Sequence, residues 1–260
     1  MKGDFSRWTF NPTERYSSVR LQQGRVALDS EWNEQARIDD RLRRAALDDI
    51  IGGCCVPSSM PDSFRVSVAN GQIRVAPGRI WVEGILCESD AIQTLPLPQG
   101  PGRHLVYLEV FERHVTGVED PQIIEVALGG PDTATRTKTI VRARVAPVGG
   151  DASCATLGDW TPPDRTTGQL TASTGAQPAD TPCVVPAQAS YAGLENQLYR
   201  VEIQRSGTVG QQPPPTFKWS RDNGSVLSRW LDVDGDELVL PTPGVDDVLG
   251  FQDNRWVELG

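Results

Sequence analysis

Hydrophobic and polar residues change their spacing twice along this chain of 260 residues. Over residues 1–23 there is no period at all: Phe5, Trp8, Phe10 and Tyr16 fall among Asn11-Pro12 and charged residues, the pattern of an extended arm. Leu28, Trp32, Ala36, Leu42, Ala46 and Ile50 then recur as one stripe of an amphipathic helix beginning near Asp29-Ser30. Either of those two residues is suited to cap the free first-turn amides, and Glu31 suits the positive end of the helix dipole. Asp39 with Arg43, and Asp40 with Arg44, form i,i+4 pairs expected on the solvent side, and Gly52-Gly53 stops the helix. A helix of this pattern lies on a surface through its apolar stripe.

From Phe64 the period becomes two. Phe64, Val66 and Val68 alternate up to Asn70-Gly71, a strong hairpin signal, and Ile73, Val75, Ile80, Val82 and Ile85 continue beyond it. Long strands are predicted from His104 to Val115 and from Arg136 to Val148, all in a first antiparallel sheet. Gly149 to Ala192 is rich in Gly, Pro, Ser and Thr and reads as a long loop or linker. Strand patterns return at "NQLYRVEIQ", at "TFKWSRDNGSVLSRW" with a second Asn-Gly hairpin at Asn223-Gly224, at "DELVLP" and at "NRWVELG". The predicted class is mainly β, with antiparallel sheets in a sandwich or barrel-like arrangement and one N-terminal helix behind an extended arm. The expected divisions are 1–55 for arm and helix, 56–148 for a first β domain, 149–192 for the loop, and 193–260 for a second β segment that runs on into a longer polypeptide.

Composition narrows the function classes. The 25 Gly and 20 Pro favour short elements joined by turns. A net charge of -9 with no basic run argues against a nucleic-acid or anionic-membrane binder, which needs a clustered cationic face. The N-terminus lacks the apolar core of a signal peptide and no window approaches a membrane span, so synthesis in the cytoplasm is expected. Five cysteines do not form a disulfide framework by arithmetic. A Cys154 to Cys183 bridge would tie down the long loop, whereas adjacent Cys54 and Cys55 are poorly placed for two corners of a zinc site.

Catalytic patterns are thin. "DVDGDE", Asp232 to Glu237, sets Asp232, Asp234 and Asp236 at the opening spacing of a calcium loop. Glu237 stands where that loop requires Gly, however, and Pro243 where it requires a bidentate carboxylate, which leaves a turn between strands. His104 and His114 share a predicted strand but lack a third metal ligand. Glu109 and Glu112 resemble a glycosidase pair in type, yet their odd separation sends them to opposite faces. Seven tryptophans are spread along the chain, with Trp160 in the polar loop the one expected at the surface. No nucleophile elbow, phosphate loop or dinucleotide fingerprint occurs, so no catalytic residue, metal or cofactor is assigned.

The blocks "MKGDFSRWTFNPTERYSSVRLQQGRVALDSEWNEQ", "APGRIWVEGILCE", "EVALGGPDTATRTKT", "GLENQLYRVEI" and "TFKWSRDNGSV" together resemble an uncharacterised bacterial domain family encoded beside contractile injection systems and phage-tail-like particles. The opening is also similar to the start of phage tail-fibre and baseplate attachment proteins. That resemblance implies a non-enzymatic structural component docked at baseplate or tail-fibre level. The implied docking set is Phe5, Trp8, Phe10, Gln22, Gln23, Gly24, Arg25, Trp32, Asn33 and Glu34, with aromatics and Arg as the usual interface anchors. Its implied partners are baseplate, spike, sheath or fibre subunits and further copies of the chain, with no nucleic acid, in a particle that reaches the cell exterior. The alternatives are a receptor- or glycan-binding module recognising a cell-surface ligand through residues 149–192 and Trp160, and a polysaccharide-cleaving spike using Glu109 and Glu112.

Overall fold

The computed structural model describes residues 2–128, 132–150, 152–153, 156–157, 160–162, 168–169, 198–244, 250–253 and 255–259. Over these residues the protein is mainly β, built from antiparallel sheets with one N-terminal helix. The arm is irregular apart from a 3-10 turn at Pro12–Glu14, and helix α1 spans Asp29–Ile51. Its start departs from the expected cap. Leu28 occupies the capping position, and its N–H donates to the Glu31 carboxylate at 3.1 Å while its carbonyl accepts from the Glu31 N–H at 3.2 Å. Glu31 thereby satisfies the terminus from inside the first turn, which releases Asp29 for the arm.

Twelve strands follow among the described residues. They are β1 (Cys54–Cys55), β2 (Val66–Ala69), β3 (Gln72–Val75), β4 (Gly78–Val82), β5 (Ile85–Ser89), β6 (Gln93–Pro96), β7 (Arg103–Val115), β8 (Arg136–Val148), β9 (Arg200–Arg205), β10 (Thr216–Ser220), β11 (Asp232–Asp234) and β12 (Glu237–Val239). Asn70-Gly71 makes the expected hairpin, with both residues at positive φ (53° and 72°). Glu83-Gly84 turns β4 into β5 in the same conformation without the Asn-Gly signal.

The expected single sheet is divided into three: β1–β4–β5, β2–β3–β6 and the long ribbon β7–β8. The break falls at Ala76-Pro77-Gly78, where Pro77 has no N–H to donate and Gly78 turns the chain at φ 138°. The three pieces share one core, to which β3 gives Val75, β4 Ile80, β5 Cys87 and β8 Ala143, with Phe64 beside them. Phe64 itself sits at φ 55°, a strained conformation for an aromatic residue, held by burial of its ring. Val66 and Val68 do not reach this core: β2 is the outer strand of its sheet and leaves both exposed.

The seam between β6 and β8 is closed by a side chain. The Gln93 amide accepts from the Ala143 N–H at 2.8 Å and donates to the Val141 carbonyl at 3.4 Å, so it stands in for the strand that β8 lacks on that edge.

Three further expectations change in the second half. Asn223-Gly224 has turn dihedrals, but no strand returns from it, and β10 pairs with β9 instead. "NRWVELG" is not a strand over its described residues. "DVDGDE" forms the β11–β12 hairpin, with Asp232 opposite Val239 and Asp234 opposite Glu237. The Cys154 to Cys183 bridge and most of the 149–192 loop lie outside the described residues.

Replacing Gln93 with Ala strands a buried amide and carbonyl. Urea denaturation is expected to show a loss of about 2 kcal/mol, against less than ~0.5 kcal/mol for the exposed Gln99→Ala.

Candidate functional site

Helix α1 is held by its charged side. Glu112 of β7 accepts from Arg44 Nη2 at 2.6 Å and lies 3.7 Å from Arg37 Nη1, while Arg44 also pairs with Asp40 at 2.7 Å. Asp40 and Arg44, expected on the solvent side, therefore face the body. Gly84 lets the helix backbone come down onto the β4–β5 turn, since a side-chain carbon there would fall 2.6 Å from the Arg44 Cα. Among the helix's apolar residues only Ile38 is buried, at 2% exposure. The apolar stripe points away: all six of its members are exposed, Trp32 by 78% and Ile50 by 77%. The spacing predicts the stripe without naming the surface it lies on, and in the structure that side of the helix faces solvent.

The arm is strapped across this helix. Ser6 donates to Asp29 from its hydroxyl at 2.5 Å and from its N–H at 3.1 Å, and the Thr9 hydroxyl donates to Glu34 at 2.5 Å. After the Pro12–Glu14 turn the arm doubles back, and the Val19 N–H donates to the Gln35 side chain at 2.7 Å. Trp8 lies under the Arg37 guanidinium, 5.3 Å from ring centre to charge, and Phe5 sits between Trp8 and His114 at 5.6 and 6.2 Å. At its outer end the Gly3 N–H donates to the Asn223 carbonyl and the Asn223 amide donates back to the Gly3 carbonyl at 3.0 Å. Asn223 is buried, and Lys2 pairs with Glu258. Residues 2–9 thus join α1, β7 and the turn after β10.

The residues singled out by sequence separate into two groups. Phe5, Trp8 and Phe10 lie at least partly covered on their own chain, and Asn33 and Glu34 are half-buried, Glu34 as an acceptor for the arm. Gln22, Gln23, Gly24 and Arg25 form an exposed turn closed by the Arg25 N–H on the Gln22 carbonyl, flanked by Leu21 and Val26 at 62% and 82% exposure. Trp32 belongs with this second group. Sequence reading missed Asn223, Asp29 and Glu112 as anchors. Only the odd separation of Glu109 and Glu112 hinted at their different surroundings.

The remaining candidates are spoken for. Glu109 pairs with Arg144 at 3.0 Å and Glu112 with the helix arginines, so each carboxylate has its own cation on its own face of β7. Trp160, expected at the surface, is half-buried edge-on against Tyr107 at 4.9 Å, whereas Trp219, Trp230 and Trp256 are exposed. Burial pushes the Cys87 thiol up to about 11, and Cys54 and Cys55, successive on one strand, are free thiols. Among the described residues no three His, Cys, Asp or Glu side chains gather as a metal site, and no helix is long and apolar enough to cross a membrane.

Two titrations grip the arm. Burial holds His114 below its ordinary value of 6.5, with the charge of Asp132 opposing, and its buried Nε2 has no hydrogen-bond partner among the described residues. The Ser6 hydroxyl and N–H hold the Asp29 carboxyl below its ordinary 3.8. Both shifts favour the deprotonated form in the fold, so unfolding takes up protons as pH falls and stability drops with it. The hydrogen-exchange protection of the Gly3 amide is expected to weaken in two stages, from just below pH 6.5 and again below pH 4. His114→Gln removes the first stage and Asp29→Asn the second.

Residues 1–101, 99–157 and 163–251 match the model of a Family of unknown function (DUF6519). No curated protein and no solved structure matches the chain. Those three matched segments take in most of the sequence, including the arm, α1 and every strand described here, and the chain belongs to the DUF6519 family.

Proposed function

We propose that the protein is a non-enzymatic structural component of a contractile injection system or phage-tail-like particle, attached at baseplate or tail-fibre level through its arm and helix. The observation that carries this reading is the division of the arm. Residues 2–9 are clamped to the body, while the turn at Gln22–Arg25 holds Leu21 and Val26 out in water beside the start of α1. Exposed apolar residues on a short turn between two anchored stretches are pre-ordered for a protein partner, because little conformational freedom remains to be lost on binding. The resemblance of the opening blocks to tail-fibre and baseplate attachment proteins supports the same site. On this reading the chain is made in the cytoplasm and leaves the cell only as part of the assembled particle.

Removing the whole arm would also break the clamp on Asn223, so point changes in the turn are the cleaner test. Leu21→Asp with Val26→Asp is expected to leave the melting temperature of the purified chain unchanged, since neither side chain packs on its own body. The same pair is expected to reduce its recovery with sheath and tube proteins in high-molecular-weight particles by roughly tenfold or more. Wild-type recovery of the double variant would sink the proposal.

A further inference from the structure

The exposed stripe of α1 is symmetric about one residue. Counted from Asp39, Ala36 and Leu42 lie three positions to either side, Trp32 and Ala46 seven, and Leu28 and Ile50 eleven. These are helical spacings in both directions, so all six side chains stay on one face along about 33 Å of helix. A face with this symmetry matches itself when a second identical helix is laid against it in the opposite sense, as a two-fold contact requires.

We propose that this face is occupied by a second copy of the chain, with the two α1 helices antiparallel and the two-fold axis passing at Asp39. In that register the inner pairs set large side chains against small ones, Trp32 of each copy facing Ala46 of the other and Leu42 facing Ala36, while Leu28 meets Ile50 at the two ends. Alternation of bulk lets the helices approach to the 8–10 Å of ordinary helix packing. The charges match as well. Asp39 and Arg43 are the exposed ionised residues within the stripe; Arg43 pairs with Asp40 and donates to the Gly84 carbonyl at 3.4 Å in its own chain, and the register sets it opposite Gln35 of the other copy, one turn from that copy's Asp39. Each Arg43 then lies between two carboxylates, its own Asp40 at 2.5 Å and the Asp39 of the other copy, which the Gln35 side chain of that copy already holds at 2.8 Å. A parallel pairing stacks Trp32 on Trp32, Leu42 on Leu42 and Arg43 on Arg43, like on like at each level. The β body is attached through Arg37, Arg44 and Glu112 on the other side of α1, and the arm meets the edge of the face at Gln35, through the Val19 N–H. This pairing goes beyond the docking reading: it assigns Trp32 to a second copy and leaves the turn at 22–25 free for other subunits.

Sedimentation of the purified full chain tests it. The native chain is expected at twice its 28.4 kDa mass. Trp32→Glu and Leu42→Glu, each altering an exposed side chain, are expected to halve that mass with unchanged circular dichroism. Asp39→Cys places two thiols at the axis within the roughly 4–7 Å between Cα atoms that a disulfide spans, so mild oxidation should link the copies. Arg41→Cys on another face, and the native chain with its own exposed Cys54, should not link. A native chain that is monomeric at about 100 μM, well above the micromolar Kd of even a modest pair, overturns the proposal, as does a dimer that survives Trp32→Glu. Either result leaves the particle-recovery experiment on Leu21 and Val26 unaffected, so the two ideas fail separately.

Discussion

The attachment of α1 to β7 through Glu112 governs the rest of the molecule. A single carboxylate receives Arg44 and lies beside Arg37, two turns apart on one face of α1, and so fixes which side of the helix meets the body. Each pair is partly exposed, and isolated pairs of that kind contribute less than about 1 kcal/mol. Here they act together, because Arg37 also covers Trp8 and Arg44 also holds Asp40. Turning the polar side inward has a direct consequence: the apolar stripe has nowhere to go within the monomer. Water against Trp32, Leu42 and Ile50 is a standing driving force for association, proportional to the apolar area left uncovered.

The arm depends on the same arrangement. Asp29, Glu34 and Gln35 are available to Ser6, Thr9 and Val19 because the helix presents polar groups along the flank that the arm crosses. Its far end then reaches Asn223, 220 positions away in the chain, through a two-way hydrogen bond with Gly3. Closing so long a loop costs conformational entropy that grows only slowly with length, so a few buried hydrogen bonds suffice to hold it. Ends and middle of the chain are therefore coupled through one strap.

The β body solves a different problem with the same means. Three small sheets would each be marginal alone, yet each contributes a buried residue to one core around Val75, Ile80, Cys87 and Ala143. Where the sheets cannot pair strand to strand, the Gln93 side chain supplies the donor and acceptor that a neighbouring strand would have provided.

Local spacing determined a good deal of this protein. The 3.6-residue period marks α1 to within a residue, the alternating runs mark β7 and β8 nearly end to end, and Asn70-Gly71 makes its hairpin because both residues tolerate positive φ. Those features rest on interactions within a few residues. What sequence could not show was which surfaces meet. An amphipathic helix has two faces, and its burial was settled by Glu112, 68 residues beyond Arg44, rather than by its own pattern. Asn223-Gly224 carries the same local signal as Asn70-Gly71 but is claimed by Gly3 from the other end of the chain, and the strand that would have returned from it finds no partner. Pairing partners, sheet boundaries and the sense of the helix are decided by contacts between distant segments, and no spacing along the chain encodes a distance across it.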